Sequence, residues 1–309
     1  MALFLFTFHV PRFTYKHSAL VTRNSTLNLG GFIQPVWAVN KWRWCPPLIY
    51  VIYLMDLKFN LIIAEKYRNS SQRVRVLSES WVEKNIYCPC CGNEKLNNFQ
   101  NNTPVADFFC SNCQSEYELK SKKDAFTQKI VDGAYGAMIK RLNADNNPHF
   151  FFLNYSNSSL AVNNFLVIPK HFFINDIVEK RKPLSTNARR AGWIGCNILL
   201  QNIPESGKIF FVKNGVIEKP EDVLNNWSKT SFLANQKRES RGWTIEIMKI
   251  IDRIKCKDFD LDEIYRFEAV LKEKFPNNNF IKDKIRQQLQ ILRDKGLIVF
   301  KGSGTYSKV

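Results

Sequence analysis

Residues 87–120 of this chain read YCPCCGNEKLNNFQNNTPVADFFCSNCQSEYELK. Two CxxC pairs stand in this stretch, Cys88 with Cys91 and Cys110 with Cys113, and eighteen residues separate the two pairs. Each pair can sit on a tight turn that directs two thiolates at one ion, and four cysteine ligands complete the tetrahedral shell of a structural zinc. The spacing therefore predicts a closed Zn2+ site. The alternative is a set of reduced, buried cysteines without a metal.

Acidic residues and a lysine surround the second cysteine pair. Asp107 precedes this pair, and Glu118 and Lys120 follow it on a β-prone run. On a strand, residues two apart point to the same face, so Glu118 and Lys120 could both meet Asp107 from a neighbouring strand. Carboxylates suit Mg2+, and a nearby lysine can hold or help to deprotonate an attacking water. The pattern predicts phosphodiester hydrolysis, with Asp107, Glu118 and Lys120 catalytic and the two acids binding magnesium. The alternative is a solvated hairpin edge.

The region 55–236 mixes helical and strand patterns. Hydrophobic spacing predicts one helix over residues 55–80, with its first part closed by the polar stretch 69–72, and another helix over 126–142. Aromatic and β-branched runs predict strands at 105–109, 117–119, 150–155, 165–168 and 209–212. This mixture indicates an α/β domain.

Other catalytic chemistries find few suitable residues in this region. The histidines after Met55 are His149 and His171, and both stand beside aromatic residues in apolar surroundings. We interpret them as packed structural histidines. No glycine-rich loop of the phosphate-binding or dinucleotide-binding type is present.

The segment 237–309 contains successive helical patterns and a final hairpin, with 17 basic and 11 acidic residues. Core-facing residues at helical spacing predict a first helix over 244–254, a second that begins at a capping signal on Asp260, and a third that ends at Gly296. The run 297–309, with Gly-Ser-Gly near its centre, predicts a β-hairpin. Three helices and a hairpin make an α+β winged-helix domain.

The third of these helices is expected to be the recognition helix. Its outward-facing residues are Lys282, Lys284, Arg286, Gln287, Gln290 and Arg293. Arginine pairs with guanine and glutamine with adenine in the major groove, while lysines bind phosphates without reading sequence. The pattern therefore predicts DNA binding. The alternative is a winged helix that docks another protein and is merely soluble on this face.

The composition favours a polyanionic partner. The 309 residues include 45 Lys and Arg against 28 Asp and Glu, which gives a formal charge of +17 at pH 7 and points to nucleic acid. Eight cysteines are too few for a disulfide scaffold of this length and suit a reducing compartment, so we expect a cytoplasmic protein. No apolar run approaches the roughly 20 residues that span a bilayer, and no membrane association is expected.

Residues 1–54 differ in composition from the rest of the chain. They contain five Lys or Arg and no Asp or Glu, whereas the remaining residues contain all 28 acids. A secretory signal would show a charged start before a continuous apolar segment, and a transit peptide would be Arg-rich and amphipathic. The stretch fits neither pattern well. We interpret it as an N-terminal extension, either read from an upstream start codon or disordered, and expect the functional chain to begin at Met55.

Seven blocks of sequence resemble those of a known family. The blocks are YCPCCGN (87–93), PVADFFC (104–110), YELKSKK (117–123), ADNNPHFFFL (144–153), ARRAGWIGCNI (188–198), SRGWTIEI (240–247) and IRQQLQILRDK (285–295). Through them, residues 55–309 resemble nearly end to end the DpnI-like methyl-directed restriction endonucleases, which cleave DNA at GATC sites whose adenine is N6-methylated. Shared blocks of this length are far more specific than the acid and lysine pattern alone.

The resemblance implies a fold and a set of functional residues. It implies a PD-(D/E)XK nuclease core at 55–236 with an inserted zinc knuckle, followed by the winged helix. Asp107, Glu118 and Lys120 fall on the catalytic positions of the family, and the four paired cysteines fall on its zinc ligands. Two departures are visible: the motif begins PVAD rather than PD, and residues 1–54 have no counterpart.

The resemblance also implies how methylation is read. In this family both domains contact the methylated site, and Trp193 matches a tryptophan of the catalytic domain that contacts the target bases. A methyl group on adenine is a small apolar feature, so filling a pocket with it is worth only about 1 to 3 kcal/mol per contact. We infer that reading two methyl groups with two domains would improve discrimination.

Three hypotheses about function follow. The leading one is a Mg2+-dependent type II site-specific deoxyribonuclease, a monomer in solution, that cuts double-stranded DNA methylated at GATC. The alternative from another class is a non-catalytic winged-helix zinc protein that binds methylated DNA as a sensor or regulator. The third is a repair or structure-specific nuclease that cuts regardless of methylation.

Overall fold

The computed structural model describes residues 55–99, 106–124, 127–144 and 147–309, so the expected extension 1–54 lies outside the described residues. The described helices are α1 Ser70–Asn85, α2 Tyr135–Ala144, α3 Pro220–Thr230, α4 Arg238–Arg253, α5 Leu261–Tyr265, α6 Glu268–Lys274 and α7 Ile281–Asp294. The described strands are β1 Asn97–Asn98, β2 Phe108–Phe109, β3 Glu116–Lys123, β4 Lys129–Ala134, β5 His149–Ser156, β6 Ala161–Ile168, β7 Val178–Lys180, β8 Gly195–Leu199, β9 Ile209–Lys213, β10 Val216–Ile217, β11 Asp258–Asp260, β12 Ile298–Gly302 and β13 Thr305–Lys308. Short 3-10 turns lie at Leu61–Ala64, Lys170–Phe172, Asn175–Ile177, Leu200–Asn202, Glu205–Gly207 and Ser231–Asn235.

A mixed sheet with the strand order β1-β2-β3-β5-β6-β9-β10 forms the frame of the described region before α3. Strands β3 and β5 run parallel, from Tyr117 opposite His149 to Lys123 opposite Tyr155. A parallel pair needs a crossover connection, and here it contains β4 and α2. The remaining neighbours in this sheet pair in the antiparallel sense.

Strand β5 shows why the sheet is central. Its side chains alternate between two hydrophobic clusters, with Phe150 and Phe152 in one and Phe151 and Leu153 in the other. Successive side chains of a strand point to opposite faces, so an apolar run of this kind is stable only where both faces of the sheet are covered. The first cluster continues into the C-terminal helices, and the second continues into α1 and α3.

The C-terminal helices share a core with the sheet. Phe150 from β5 and Ile247 from α4 belong to one continuous cluster of buried residues. Polar contacts reinforce this packing, because the guanidinium of Arg238 donates to the carbonyl oxygen of Leu142 over 2.7 Å. The ammonium of Lys274 on α6 likewise pairs with the carboxylate of Asp176, which lies before residue 237. The parts of the chain on either side of residue 237 are therefore packed against each other.

The predicted helix over 55–80 is wrong in its first half. The chain near Leu57 is extended, and the carbonyl oxygen of Leu57 accepts a hydrogen bond of 2.7 Å from the N–H of Val162 at the start of β6. Helix α1 begins at the polar stretch that was expected to end a helix, because the side chain of Asn69 accepts from the N–H of Ser71 at 2.9 Å. Asparagine is a strong N-cap, so the same residue type that closes one element can open the next.

The predicted helix over 126–142 is also only half right. The described part of this segment contains strand β4 before helix α2. Strand β4 pairs with β8, and Ile130 lies opposite Ile198 about 70 residues later. The order β4-β8-β7 makes a second, three-stranded sheet. The helical spacing of the apolar residues correctly predicts α2. The residues before α2 form strand β4 because they pair with β8.

The C-terminal segment has the predicted order of helices and hairpin, with two additions. The capping box at Asp260 and Glu263 is present, but the second helix is interrupted after Tyr265 and resumes as α6. A short strand, β11, joins the hairpin in a third sheet of order β11-β13-β12. The residues that α7 turns inward are Ile281, Ile285, Leu289 and Leu292, and all four are buried. None of the helices in the described ranges combines the length and apolar character that crossing a bilayer demands.

Candidate active site and metal centre

The four paired cysteines converge as their spacing predicted. Their sulfur atoms all lie within 4.8 Å of one another. Cys88 Sγ is 3.5 Å from Cys113 Sγ, and Cys91 Sγ is 3.6 Å from Cys110 Sγ. Four sulfurs held about 2.3 Å from one zinc in a tetrahedron lie roughly 3.8 Å apart, so the cluster is compatible with a structural zinc. Cys90 is exposed and stands outside this group.

The two cysteine turns have the same backbone pattern. In the first turn, the N–H of Gly92 donates to the carbonyl of Cys88 at 2.9 Å, and the N–H of Cys88 donates to the carbonyl of Asn93 at 2.8 Å. In the second, the N–H of Gln114 donates to the carbonyl of Cys110 at 2.9 Å. Gly92 and Gln114 both have positive φ, at 76° and 58°. The repeated turn explains how each CxxC pair presents both sulfurs on one side.

Neighbouring hydroxyl groups surround the sulfurs. The hydroxyl of Tyr117 lies 3.1 Å from Cys88 Sγ, and Ser115 Oγ lies 3.2 Å from Cys113 Sγ. Burial raises the pKa of Cys88 above its ordinary value. Burial acts to raise the pKa of Cys91. Hydrogen bonds to its sulfur favour the thiolate and outweigh burial, so the pKa is lowered to about 7.

Asp107 immediately precedes β2 and lies beside Glu118 of β3. The pairing of β2 with β3 places Phe108 opposite Tyr117, and the N–H of Asp107 donates to the carbonyl of Tyr117 at 2.9 Å. The carboxylate of Asp107 accepts the N–H of Leu119 at 2.7 Å. These two bonds bracket Glu118, so Asp107 stands directly across the strand pair from it.

Glu118 and Lys120 share one face of β3 and contact each other. Lys120 Nζ is 2.6 Å from Glu118 Oε1. A second carboxylate also contacts this ammonium, because Asp132 Oδ1 on β4 is 2.5 Å from Lys120 Nζ. Arg141 from α2 approaches Glu118 Oε2 at 3.3 Å. The structure thus surrounds the predicted pair with two charged residues that the sequence analysis did not identify.

No sequence pattern marks Asp132 or Arg141. Asp132 stands in the run KIVDGA, and Arg141 stands among the polar residues of α2. Their position beside Glu118 depends on the pairing of β4 with β8 and on the packing of α2 against the hydrophobic core.

The charges of this cluster set its proton state. Burial raises the pKa of Glu118, and the nearby cations of Lys120 and Arg141 act in the opposite direction. Burial acts to lower the pKa of Lys120, but attraction to Glu118 and Asp132 outweighs burial and raises it. Lys120 is therefore an ammonium in the neutral range and pairs with both carboxylates.

Trp193 lies half-buried at the end of the loop between β7 and β8. The guanidinium of Arg190 stacks over its ring, 4.6 Å from the ring centroid. The ring rests on Gly195, where a Cβ atom would lie only 2.8 Å from the indole. The N–H of Leu184 closes the loop by donating to the carbonyl of Trp193 at 3.0 Å. The missing side chain at residue 195 thus lets the indole lie flat against the end of β8.

Helix α7 turns its polar face to solvent. Its exposed predicted residues are Lys282, Arg286, Gln287, Gln290 and Arg293, and Lys284 is half-buried. Lys282 Nζ lies 5.1 Å from the centroid of the Tyr265 ring, and Arg286 donates to the Tyr265 hydroxyl at 2.7 Å. Arg286 also pairs with Asp283. The basic side chains on this face are held by local partners rather than left free to rotate.

Comparison with known families identifies the class of protein. A model of the DpnI family, described as the Dam-replacing family, matches residues 55–236. A second model, described as the Dam-replacing HTH domain, matches residues 239–308. The first match alone covers more than half of the chain, so the chain belongs to the DpnI (Dam-replacing) family. Membership implies a nuclease of the restriction-endonuclease class that cleaves DNA in a methyl-dependent manner, and the HTH match implies DNA binding.

Proposed function

We propose that this protein is a Mg2+-dependent type II restriction endonuclease that hydrolyses double-stranded DNA at GATC sites containing N6-methyladenine. One observation supports this most directly. Asp107, at the residue before β2, bonds the backbone of β3 on either side of Glu118, and Lys120 contacts Glu118 on β3, in a chain of the DpnI family. The domain division that goes with it is a PD-(D/E)XK core over 55–236 and a winged helix over 237–309.

Asp107 and Glu118 are the residues that would hold magnesium. Their oxygen donors suit a hard cation that keeps several waters and binds through one or two carboxylates. Two cations, Lys120 and Arg141, already contact the carboxylate of Glu118, so positive charge is accommodated at this position. Bound magnesium would neutralise the charge that develops on the phosphodiester.

The chain's own residues supply the remaining chemistry. Lys120, as an ammonium, donates hydrogen bonds to the attacking water or to a phosphate oxygen and so orients them. The carboxylate of Asp107 is held in place by the Leu119 N–H. The four cysteines, with a structural zinc, would join the turn before β1 to the turn between β2 and β3 and thereby hold β2 against β3.

Methyl recognition is assigned to two surfaces. Trp193 offers an aromatic wall beside a cationic loop, which suits both the methyl group and the phosphate backbone. The solvent-facing residues of α7 would enter the major groove, with arginine and glutamine reading base edges. The chain would act as a monomer that binds methylated duplex DNA.

The test uses the full chain and two batches of one plasmid, one methylated at the GATC adenine and one unmethylated. Each batch is incubated with and without added Mg2+, since a chelator would also remove zinc. Discrete fragments from the methylated batch alone, and only with Mg2+, support the proposal. Cutting of both batches would leave a nuclease without methyl reading. Retention of methylated DNA without cutting would favour the non-catalytic sensor instead.

A further inference from the structure

Lys120 is bound by two carboxylates, and only one of them belongs to the predicted metal ligands. Its ammonium is 2.6 Å from Glu118 and 2.5 Å from Asp132. The side chain of Asp132 is only 7% exposed, whereas that of Lys120 is 22% exposed. The ammonium on β3 is therefore contacted by a nearly buried acid from a different sheet.

We propose that Asp132 is a positioning residue that holds the Lys120 ammonium at the scissile phosphate when Glu118 is engaged by a metal. The inference deepens the proposed function and rests on it. A cation bound by Glu118 competes with Lys120 for the same oxygens, so a lysine held by Glu118 alone would lose its anchor at the moment of catalysis. Asp132 keeps that anchor.

The physical basis is the flexibility of lysine. Its charge sits on a four-carbon stem with many rotamers, in contrast to the planar fork of arginine. An ammonium without a partner in a half-buried site would turn toward solvent, because burial of an unpaired charge is unfavourable. A misplacement of about 1 Å in a reacting group can slow a reaction about 100-fold.

The backbone makes Asp132 suitable for this task. It lies on β4 opposite Cys196 of β8, in the three-stranded sheet β4-β8-β7. Strand β4 is thus fixed by pairing that does not involve β3 or the metal ligands. A group on a rigid strand outside the metal shell can hold Lys120 in one place whether or not the metal is bound.

The experiment compares the full wild-type chain with Asp132→Asn in single-turnover cleavage of a methylated GATC duplex. We expect the cleavage rate at saturating Mg2+ to fall by about tenfold to 100-fold. The Mg2+ concentration that gives half the maximal rate and the duplex affinity measured without Mg2+ should both stay within about twofold of wild type, because Asp132 is not a ligand of either. Asp132→Glu, which keeps the charge, should recover part of the rate.

The matched control is Glu179→Gln. Glu179 lies on β7 of the same sheet and accepts hydrogen bonds of 2.7 Å from Lys129 and from Asn197. This variant removes a lysine-paired carboxylate from the sheet without touching Lys120, so its cleavage rate should match wild type.

Three results would overturn the inference. If the half-saturating Mg2+ concentration rises at least tenfold in Asp132→Asn and excess Mg2+ restores the rate, Asp132 is a metal ligand and not a positioning residue. If wild type cuts and Asp132→Asn cuts equally fast, Lys120 needs no second anchor and the proposed function stands alone. If wild type cuts no methylated DNA at all, the proposed function fails, and the inference fails with it.

Discussion

The cysteine cluster and the acid cluster are built by the same stretch of chain in different ways. All four sulfurs come from two turns of identical backbone pattern within residues 88–113. The acid cluster combines Glu118 and Lys120 of that stretch with Asp132 and Arg141 from later elements. The first is a closed set of ligands that can be complete on its own, and the second is assembled from three elements of secondary structure.

This difference predicts different roles. A closed set of thiolates contributes to folding, because metal binding and chain closure are the same event. An open set of carboxylates and cations can contribute to a reaction, because its carboxylates can bind a metal and its cations can bind a phosphate. Variants in the two clusters should therefore separate stability from activity.

The largest expected effect is the loss of cleavage in Asp107→Asn. The asparagine oxygen can still accept the Leu119 N–H that Asp107 accepts at 2.7 Å, so the fold should persist. If Asp107 binds the metal as proposed, its removal should slow cleavage of methylated plasmid by about 1,000-fold or more. The readouts are single-turnover cleavage and the urea midpoint of unfolding. If the variant cuts at the wild-type rate, the active site lies elsewhere. If the variant loses as much stability as a cysteine variant, the two clusters do not differ in role.

The second effect should appear in stability rather than in chemistry. In Cys110→Ser, loss of one of four ligands should reduce bound zinc below one per chain and destabilise the fold by more than about 3 kcal/mol. Zinc content is measured by elemental analysis, and stability by denaturant unfolding. The control is Cys90→Ser, since Cys90 is exposed and outside the cluster, and its stability should change by less than about 0.5 kcal/mol. If Cys110→Ser keeps full zinc occupancy, a closed four-cysteine site is excluded.

A smaller effect is expected where the two clusters meet. Tyr117 directly precedes Glu118 on β3, and its hydroxyl lies 3.1 Å from Cys88 Sγ. Tyr117→Phe keeps the ring stacked on Phe151, at a centroid distance of 4.5 Å, and removes only the hydroxyl. Groups that hydrogen-bond a metal ligand typically change metal affinity by about tenfold to 100-fold. Zinc transfer to a colorimetric chelator should therefore be about tenfold faster, and an unchanged transfer rate would show that the hydroxyl does not support the site.

The smallest effect is a dependence on pH that comes from outside both clusters. Burial and the nearby cations Arg241 and Lys170 lower the pKa of His171 to about 3. The unfolded chain takes up this proton near pH 6.5 and the folded chain does not, so stability falls as the pH drops below about 6.5 and continues to fall toward pH 3. From pH 7 to pH 6, His171 should reduce the free energy of unfolding by about 0.7 kcal/mol.

Denaturant unfolding of wild type and His171→Leu at these two pH values isolates that contribution. The variant should lose less stability between them, whatever its absolute stability. Equal losses in the two proteins would mean that the pKa of His171 is the same in the folded and unfolded chain.

Much of the molecule follows from local patterns. The CxxC spacing predicted the cysteine cluster, and the period of two placed Glu118 and Lys120 on one face of β3. The apolar spacing of Ile281 and Ile285 predicted the buried face of α7. Within one strand, one helix or one CxxC turn, the residues that must share a face are close in sequence, so backbone geometry alone brings them together. The two cysteine turns lie further apart, and their meeting was predicted from the residue type that a shared metal requires.

Local patterns failed where a distant partner decided the outcome. The segment near Leu57 is extended because it pairs with the start of β6, and β4 is a strand because β8 completes it. Asn69 was interpreted as the end of a helix and is the cap of one. Each error arose where two local conformations are close in energy and pairing or capping selects between them.

The sequence by itself determined the class of protein, predicted the four-cysteine cluster and proposed Asp107, Glu118 and Lys120 for the candidate active site. Only the tertiary structure decided which other charges meet them. Asp132 of β4 reaches Lys120, and Arg141 of α2 reaches Glu118, because the crossover that contains β4 and α2 brings both residues to β3. Spacing along the chain encodes contacts within one turn or one strand, whereas contacts between elements depend on how the whole hydrophobic core is packed.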